Sequence, residues 1–148
     1  MREILFRAKT VKNVHWIWGD LFHAGTEPSD GEFVISYWDD EDGWMNENVQ
    51  PGTIGQFTGL TDKNGKRIFE GDIVECVSWN EYFSKDGKPM EPFRRKMFVD
   101  YRKGGFKMVE PMPEPMKDNE WDIIYNGDIV IIGNIYDDPQ LIDMKRLG

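Results

Sequence analysis

The chain has 148 residues, the usual size of one domain, and its six Trp, five Tyr and nine Phe favour strands over helices. The formal net charge of −9 is uneven, with −6 in residues 1–50, +2 in residues 51–105 and −5 in residues 106–148. This distribution argues against generic binding to nucleic-acid phosphates, which requires a concentrated positive face.

The first third of the chain predicts three strands separated by polar breaks. Residues 3–9 alternate apolar and polar side chains, as in a strand with one buried face. An aromatic strand is predicted over residues 14–23, with a break or bulge at Gly19-Asp20, and a third strand over residues 33–38. The four adjacent carboxylates of residues 39–42 predict a solvated turn rather than a calcium site, because consecutive acids point in different directions.

The segment from residue 56 to residue 77 carries the clearest turn signals. Asp62 can accept hydrogen bonds from backbone N–H groups two residues on, and Asn64-Gly65 readily adopts positive φ, so a hairpin is predicted. Gly71 allows a sharp bend before the chain becomes extended again. A hairpin that leads directly into a bent strand is typical of small barrels.

The C-terminal half predicts further strands and two irregular loops, at 80–92 and 110–118. Residues 73–79 carry apolar groups on both faces, which indicates a central strand, and residues 93–109 predict two strands joined at Gly104-Gly105. Residues 119–125 fit either a helical turn or an extended piece. The apolar run 128–136 is the best candidate for a central strand, and Asp138-Pro139 predicts a short helix to residue 144.

Three blocks of sequence resemble the YopX family of phage and prophage proteins: REILFRAK at the start, GQFTGLTDKNGKRIFEGDIVE in the middle and IIGNIYDDPQLI near the end. They keep the family's order and cover nearly the whole chain. The resemblance implies one YopX-like domain over residues 1–148, all-β, with a bent, coiled antiparallel sheet in a small, partly open barrel and a short C-terminal helical turn. The family has no settled activity, so it implies no catalytic residue.

Common catalytic and metal-binding motifs are absent from the sequence. There is no phosphate-binding glycine loop and no nucleophile elbow, and His15 and His23 are better interpreted as ordinary hydrogen-bonded side chains than as metal ligands. The single cysteine, Cys76, excludes an intrachain disulfide and predicts inert packing. We therefore expect no cofactor, no metal, no membrane span and a cytoplasmic location, in the host cell if the protein is phage-encoded.

Four polar side chains within the family-like blocks are candidate site residues: Asp72, Glu70, Gln56 and Asn134. If the strands bring them together, the paired carboxylates suit acid–base chemistry. Turn capping is the favoured alternative, since Asp72 and Asn134 each directly follow a glycine.

A second candidate site is the hairpin over residues 93–109, whose basic side chains alternate with aromatic ones. This composition is typical of a platform for single-stranded nucleic acid, although an edge hairpin protected by charge is the favoured alternative. The basic residues concerned are Arg94, Arg95, Lys96, Arg102, Lys103 and Lys107.

The leading functional hypothesis is a non-enzymatic interaction module that binds a host or phage protein through an acidic, aromatic-rich surface and self-associates through an edge strand. The alternative is a nucleic-acid-binding accessory protein that uses the hairpin over residues 93–109. A hydrolase built on Asp72 and Asn134 is a third, weaker hypothesis.

Overall fold

The computed structural model describes residues 2–24, 32–78, 93–123 and 129–142. Within these residues the chain is almost entirely β, in two antiparallel sheets, and the all-β prediction is confirmed. Neither sheet closes into a barrel, and the helices of the described residues are 3-10 turns at Pro51–Thr53 and Pro139–Leu141. No helix in these ranges is long and apolar enough to cross a membrane.

The strands alternate along the chain with tight turns. Their bounds are β1 (Phe6–Lys9), β2 (Trp16–Ala24), β3 (Glu32–Asp39), β4 (Gly43–Val49), β5 (Gly55–Thr61), β6 (Arg67–Phe69), β7 (Asp72–Ser78), β8 (Phe93–Arg102), β9 (Gly105–Glu110), β10 (Asn119–Asp122) and β11 (Ile129–Asn134). The chain divides into two compact units, Met1–Gly59 and Leu60–Gly148.

The first unit contains an antiparallel sheet in the order β4-β3-β2-β1-β5. One face of this sheet forms a core, because alternate side chains of its strands are apolar and point to the same side. The buried residues of the core are Ala8, Ile17, Ile35 and Val49, and Phe6, Leu21, Phe33, Tyr37 and Ile54 pack against them.

The break predicted at Gly19-Asp20 is wrong, since β2 runs through both residues. Gly19 marks the point where β2 changes partner: Gly19 lies opposite Phe6 of β1, and Asp20 lies opposite Ser36 of β3. A Cβ atom at Gly19 would collide with the carbonyl oxygen of Ser36. The glycine is therefore required by the close approach of two strands rather than by a turn.

The second unit contains an antiparallel sheet in the order β10-β9-β8-β7-β11, with apolar clusters on both faces. Strand β7 lies between β8 and β11, which confirms its predicted central position. One cluster is formed by Ile68, Val74, Met97, Val99, Met108, Ile123 and Ile129. The other is formed by Ile73, Phe98 and Val109, with Ile132, Ile135, Leu141 and Ile142 packed against them.

Two predictions about position in this sheet are wrong. Strand β11 was expected at the centre but lies at the edge, where the turn after β5 supplies further hydrogen-bond partners: the Lys63 N–H donates to the Ile129 carbonyl at 3.0 Å. Conversely, β8 and β9 were favoured as an edge hairpin but lie inside the sheet, between β7 and β10. Their turn at Gly104-Gly105 is where the sequence predicted it.

The hairpin predicted from Asp62 and Asn64-Gly65 is confirmed between β5 and β6. The Asp62 N–H donates to the Lys66 carbonyl at 2.8 Å, and Gly65 has a φ of 81°. The bend at Gly71 is also present, with a φ of 88°.

The remaining local predictions concern the loops and the C-terminus. Residues 119–122 are extended. The described part of the predicted terminal helix contains a 3-10 turn at Pro139–Leu141, and residues 143 and 144 lie outside the described residues. Of the proline-rich segment predicted to be irregular, 110–118, residues 111–118 are irregular and Glu110 is the last residue of β9. The predicted loop 80–92 lies outside the described residues.

Candidate functional site

Asp72 and Asn134 lie directly opposite each other, at the start of β7 and the end of β11. Asp72 is 2% exposed, and its Oδ2 accepts a hydrogen bond from the N–H of Phe69 at 2.8 Å. This carboxylate therefore closes the tight connection between β6 and β7, which is the turn-capping arrangement.

Asn134 caps the turn that follows β11. Its Oδ1 accepts hydrogen bonds from the N–H groups of Tyr136 at 3.0 Å and Asp137 at 2.9 Å, and its Nδ2 donates to the Asp137 carboxylate at 3.1 Å. The backbone N–H of Asn134 donates to Asp138 Oδ2 at 3.1 Å. All of these contacts stay within one turn, so the side chain has a local structural role.

The other two polar candidates are placed differently. Glu70 is half-buried in the connection between β6 and β7, beside Gly71 and Asp72. Gln56 lies in the first unit, opposite Phe6 of β1. Within the second unit, the structure thus brings Glu70, Asp72 and Asn134 to the same end of β7 and β11.

Asp62 accepts three backbone hydrogen bonds in this region, and the sequence predicted only those within the hairpin turn. It is 7% exposed; its Oδ1 accepts from the N–H groups of Asn64 and Lys66, both at 2.9 Å, and its Oδ2 accepts from the N–H of Ile131 at 3.1 Å. Burial by itself raises the pKa of Asp62, but these N–H groups and the nearby Lys66 charge lower the pKa below its ordinary value. The carboxylate thus joins the hairpin turn to strand β11.

The basic side chains of the hairpin over residues 93–109 face carboxylates on neighbouring strands. Burial opposes the charge of Arg102, but hydrogen bonds to Asp100 and Glu120 raise its pKa above the ordinary value. Lys96 is exposed and lies opposite Glu75 in the β7–β8 register. The ion pairs are Arg94 with Glu75 (2.7 Å), Arg95 with Glu110 (2.9 Å), Arg102 with Asp100 (2.8 Å) and Glu120 (3.0 Å), Lys103 with Glu120 (3.2 Å), and Lys107 with Asp122.

The first unit carries an exposed aromatic surface on the sheet face opposite its core. We call this surface the aromatic face; it consists of Trp18 and Phe22 of β2, Trp38 of β3 and Trp44 of β4, which are 49%, 45%, 59% and 64% exposed. The strand registers place these four side chains on one side of the sheet. Trp38 and Trp44 are direct cross-strand partners in an edge-to-face arrangement, with ring centroids 5.6 Å apart.

A shallow groove of about 530 Å³ crosses the aromatic face. The lining of the groove includes four indole rings and three polar side chains: Trp16, Trp18, Trp38, Trp44, His15, Asp20 and Ser36. Its walls combine apolar rings with a carboxylate, so the groove suits a partner that has both apolar and cationic groups.

The model of the YopX protein family matches residues 5–143 of the chain. The chain belongs to the YopX family. It is also similar to the crystal structure of protein EF1440 from Enterococcus faecalis, with 23% sequence identity, coverage of 97% of this chain and 100% of that chain, and a TM-score of 0.48. A comparison with curated proteins finds no match.

The sequence of this YopX-family protein contained a signal for the aromatic face that the sequence analysis did not use. Trp18 and Phe22 stand four residues apart, so period-two alternation places them on one side of a single strand. Trp38 and Trp44 flank the acidic turn, and the register across that turn makes them direct partners on one side of β3 and β4. Which side faces the core is decided by the packing of Ile17 and Ile35.

The two histidines of the YopX-family chain have separate surroundings. His15 Nδ1 lies 3.2 Å from Thr10 Oγ1, and its Nε2 lies 3.9 Å from a Glu47 oxygen, whereas the His23 ring packs against Phe33 with centroids 4.9 Å apart. Within the described ranges, no group of three or more His, Cys, Asp or Glu side chains is arranged to hold a metal ion.

Proposed function

We propose that this YopX-family protein is a non-enzymatic interaction module of phage or prophage type, and that its aromatic face binds a protein partner in the cytoplasm. The observation that carries this proposal is the exposure of four large aromatic side chains on one side of one sheet. Single exposed apolar residues are normal on soluble proteins, but a contiguous patch is typical of an interaction surface.

The core of the first unit holds the strands that carry these rings in fixed positions. The aromatic face belongs to β2, β3 and β4, and the opposite side of the same strands is fixed by the buried side chains of Ile17, Ile35 and Val49. Because the backbone is already ordered, binding costs little additional conformational entropy. Tryptophan is also among the residues that most often dominate binding energy at interfaces.

Binding of nucleic acid through the hairpin over residues 93–109 remains an alternative prediction with less support. Arg95 and Arg102 already pair with carboxylates on neighbouring strands, and these carboxylates repel phosphate. A hydrolase is also less supported, since the Phe69 N–H donates to Asp72 and the Oδ1 of Asn134 accepts from its own turn, which are turn-capping contacts.

The proposal is tested by capture of partners from a host lysate with the full, tagged chain, with and without nuclease treatment. The variant Trp38→Ser/Trp44→Ser removes the centre of the aromatic face. The matched control is Trp121→Ser, which removes a 39% exposed indole from the second unit. We expect a protein that survives nuclease, is lost with the double variant and is retained with the control.

The same experiment separates the alternatives. A partner that disappears on nuclease treatment, and whose capture falls steeply with salt and on reversal of Arg94, Arg95 and Lys96 to Glu, would support nucleic-acid binding instead. Capture that is identical for the double variant and the original chain would refute the aromatic face as the interface. Light scattering of the purified chain tests self-association through an edge strand.

A further inference from the structure

We propose that the aromatic face binds an extended polypeptide segment through its Arg or Lys side chains, with the cations lying over the indole rings of the groove. This inference rests on the proposed function and adds the chemistry of the partner. It follows from the open rings, from a cation contact within the protein itself and from the charge around the groove.

The groove offers indole surface that is open to solvent. Trp38 and Trp44 are more than half exposed, and their edge-to-face contact leaves ring surface uncovered. Trp18 lines the same groove from the neighbouring strand. A cation over the face of an indole is attracted by the negative face of the ring, and Trp is the best side chain for this contact.

The protein already uses this contact on the same side of the sheet. The guanidinium carbon of Arg7 lies 4.9 Å from the ring centroid of Trp16, and Lys9 Nζ lies 5.6 Å from it. Trp16 and Trp18 are two residues apart on β2 and so project to the same side. Within the described ranges no such cation lies over Trp18, Trp38 or Trp44, which leaves these rings available to a partner.

The charge around the groove favours a cationic occupant. Asp20 and His15 line the groove together with Trp16, over whose ring Arg7 and Lys9 lie. No Lys or Arg is among the described residues that line the groove itself. The turn that joins Trp38 to Trp44 carries four consecutive carboxylates, at residues 39–42. Two backbone N–H groups, those of Asp42 and Glu41, lower the pKa of Asp39, so this carboxylate is negative at neutral pH.

The same charges disfavour other occupants. A second copy of this chain would bring its own acidic turn against the first, because residues 1–50 carry a formal charge of −6. Nucleic acid would bring phosphates against the same carboxylates. A polypeptide with spaced basic side chains is attracted by the carboxylates and can stack on the rings.

The test uses four short peptides that alternate serine with arginine, lysine, citrulline or glutamate, titrated into the full chain by calorimetry. Citrulline keeps the size and planarity of arginine but has no charge. We expect the arginine and lysine peptides to bind, with affinity that falls as salt rises, and the other two peptides to bind at least about tenfold more weakly.

Substitutions in the chain show which of its residues bind the peptide. The affinity for the arginine peptide should fall by about fivefold or more in Trp38→Ala/Trp44→Ala and by about twofold to fivefold in Asp20→Asn. In Trp121→Ala this affinity should change by less than about twofold. Circular dichroism checks that each variant is folded. Because a variant can fail to fold, the indole N–H signals of the original chain are also followed by NMR, and the peptide should shift those of Trp18, Trp38 and Trp44.

The outcomes separate this inference from the proposed function. Equal binding of the citrulline and arginine peptides, or NMR shifts confined to the second unit, would overturn the inference. If no peptide binds but a lysate protein is still lost with the Trp38→Ser/Trp44→Ser variant, the cationic ligand is wrong and the aromatic face remains the interface. If that protein is also retained by the variant, both proposals fall.

Discussion

Removal of the Asp62 carboxylate should strongly destabilise the second unit. Its two oxygens accept hydrogen bonds from the N–H groups of Asn64, Lys66 and Ile131, which belong to a turn and to the edge strand β11. The side chain is 7% exposed, so water has little access to replace the lost acceptor. Asp62→Ala therefore leaves several backbone donors without a partner.

The magnitude follows from the number and type of these bonds. A hydrogen bond to a charged group contributes about 1.5–3 kcal/mol, and bonds that share one acceptor are not additive. We expect Asp62→Ala to lower the free energy of unfolding by about 3–5 kcal/mol. Asp62→Asn keeps one oxygen but turns an NH2 group towards a backbone donor, and should cost about 2–3 kcal/mol.

Urea unfolding at neutral pH and at successively lower pH measures both the loss and its pH dependence. Burial opposes ionisation of Asp62, yet the N–H groups lower its pKa below the ordinary 3.8 in the folded protein. The folded state thus binds this proton less readily than the unfolded state. The stability that the carboxylate contributes is present above pH 3.8 and is lost as the pH falls through the folded pKa.

The difference in stability between the original chain and Asp62→Asn should therefore narrow on acidification. The matched control is Asp40→Asn, an exposed carboxylate in the turn between β3 and β4, which should change stability by less than about 0.5 kcal/mol. A loss below about 1 kcal/mol for Asp62→Ala, or a difference that stays constant with pH, would refute this explanation.

Two further predictions concern backbone strain at Gly71 and the hydrogen-bonded hydroxyl of Tyr37. Gly71 has a φ of 88°, and a Cβ there would lie 2.9 Å from the ring of Tyr136, so Gly71→Ala should cost about 2–4 kcal/mol in urea unfolding. Gly65→Ala is the control, because Gly65 also has a positive φ of 81° but an added Cβ would meet no described atom within 4 Å. This control should lose about 1–2 kcal/mol of stability, and equal losses in the two variants would exclude a clash with Tyr136 as the cause. The Tyr37 hydroxyl donates to Glu47 at 2.6 Å, and this bond is the main cause that raises the pKa of Tyr37 to about 12. Glu47→Gln should return it towards 10.0 in an absorbance titration of tyrosinate. Because the folded pKa is raised, the bond stabilises the fold below pH 10.0 and is lost as the pH rises through 12; an unchanged titration would contradict the assignment.

Local features of the fold were predictable because their causes lie within a few residues. The turn at Asp62 follows from an acceptor side chain and a glycine that adopts positive φ, and the turn at Gly104-Gly105 separates β8 from β9 as expected. The central position of β7 followed from apolar residues such as Ile73 and Val74 on both of its faces.

The wrong predictions concern the order of the strands in a sheet and the distance at which two strands pack. The apolar composition of β11 suggested a central strand, but an edge strand can be equally apolar when a turn, here that of Asp62 and Lys63, supplies its hydrogen-bond partners. Gly19 was interpreted as a break, whereas its role is to let the carbonyl of Ser36 approach β2. Neither relation is encoded by residues close in sequence.

In the candidate sites too, the residue types were evident from the sequence, but their contacts and exposure depend on the tertiary structure. Arg95 and Arg102 were recognised as basic, but their pairing with Glu110 and Glu120 depends on the register of β8, β9 and β10. The sequence placed Trp38 in a strand, but only the packing of the core decided that its side of the sheet faces solvent.

By itself, the sequence determined that this protein is a β protein of the YopX family, where its chain turns and which strand could be buried on both faces. These properties depend on side-chain alternation and on the conformational preferences of single residues. Only the tertiary structure decided which strands are neighbours, which charges are paired and which aromatic rings remain exposed. Those properties depend on strand register and on contacts between residues far apart in the chain, such as the Asp62 hydrogen bond to Ile131.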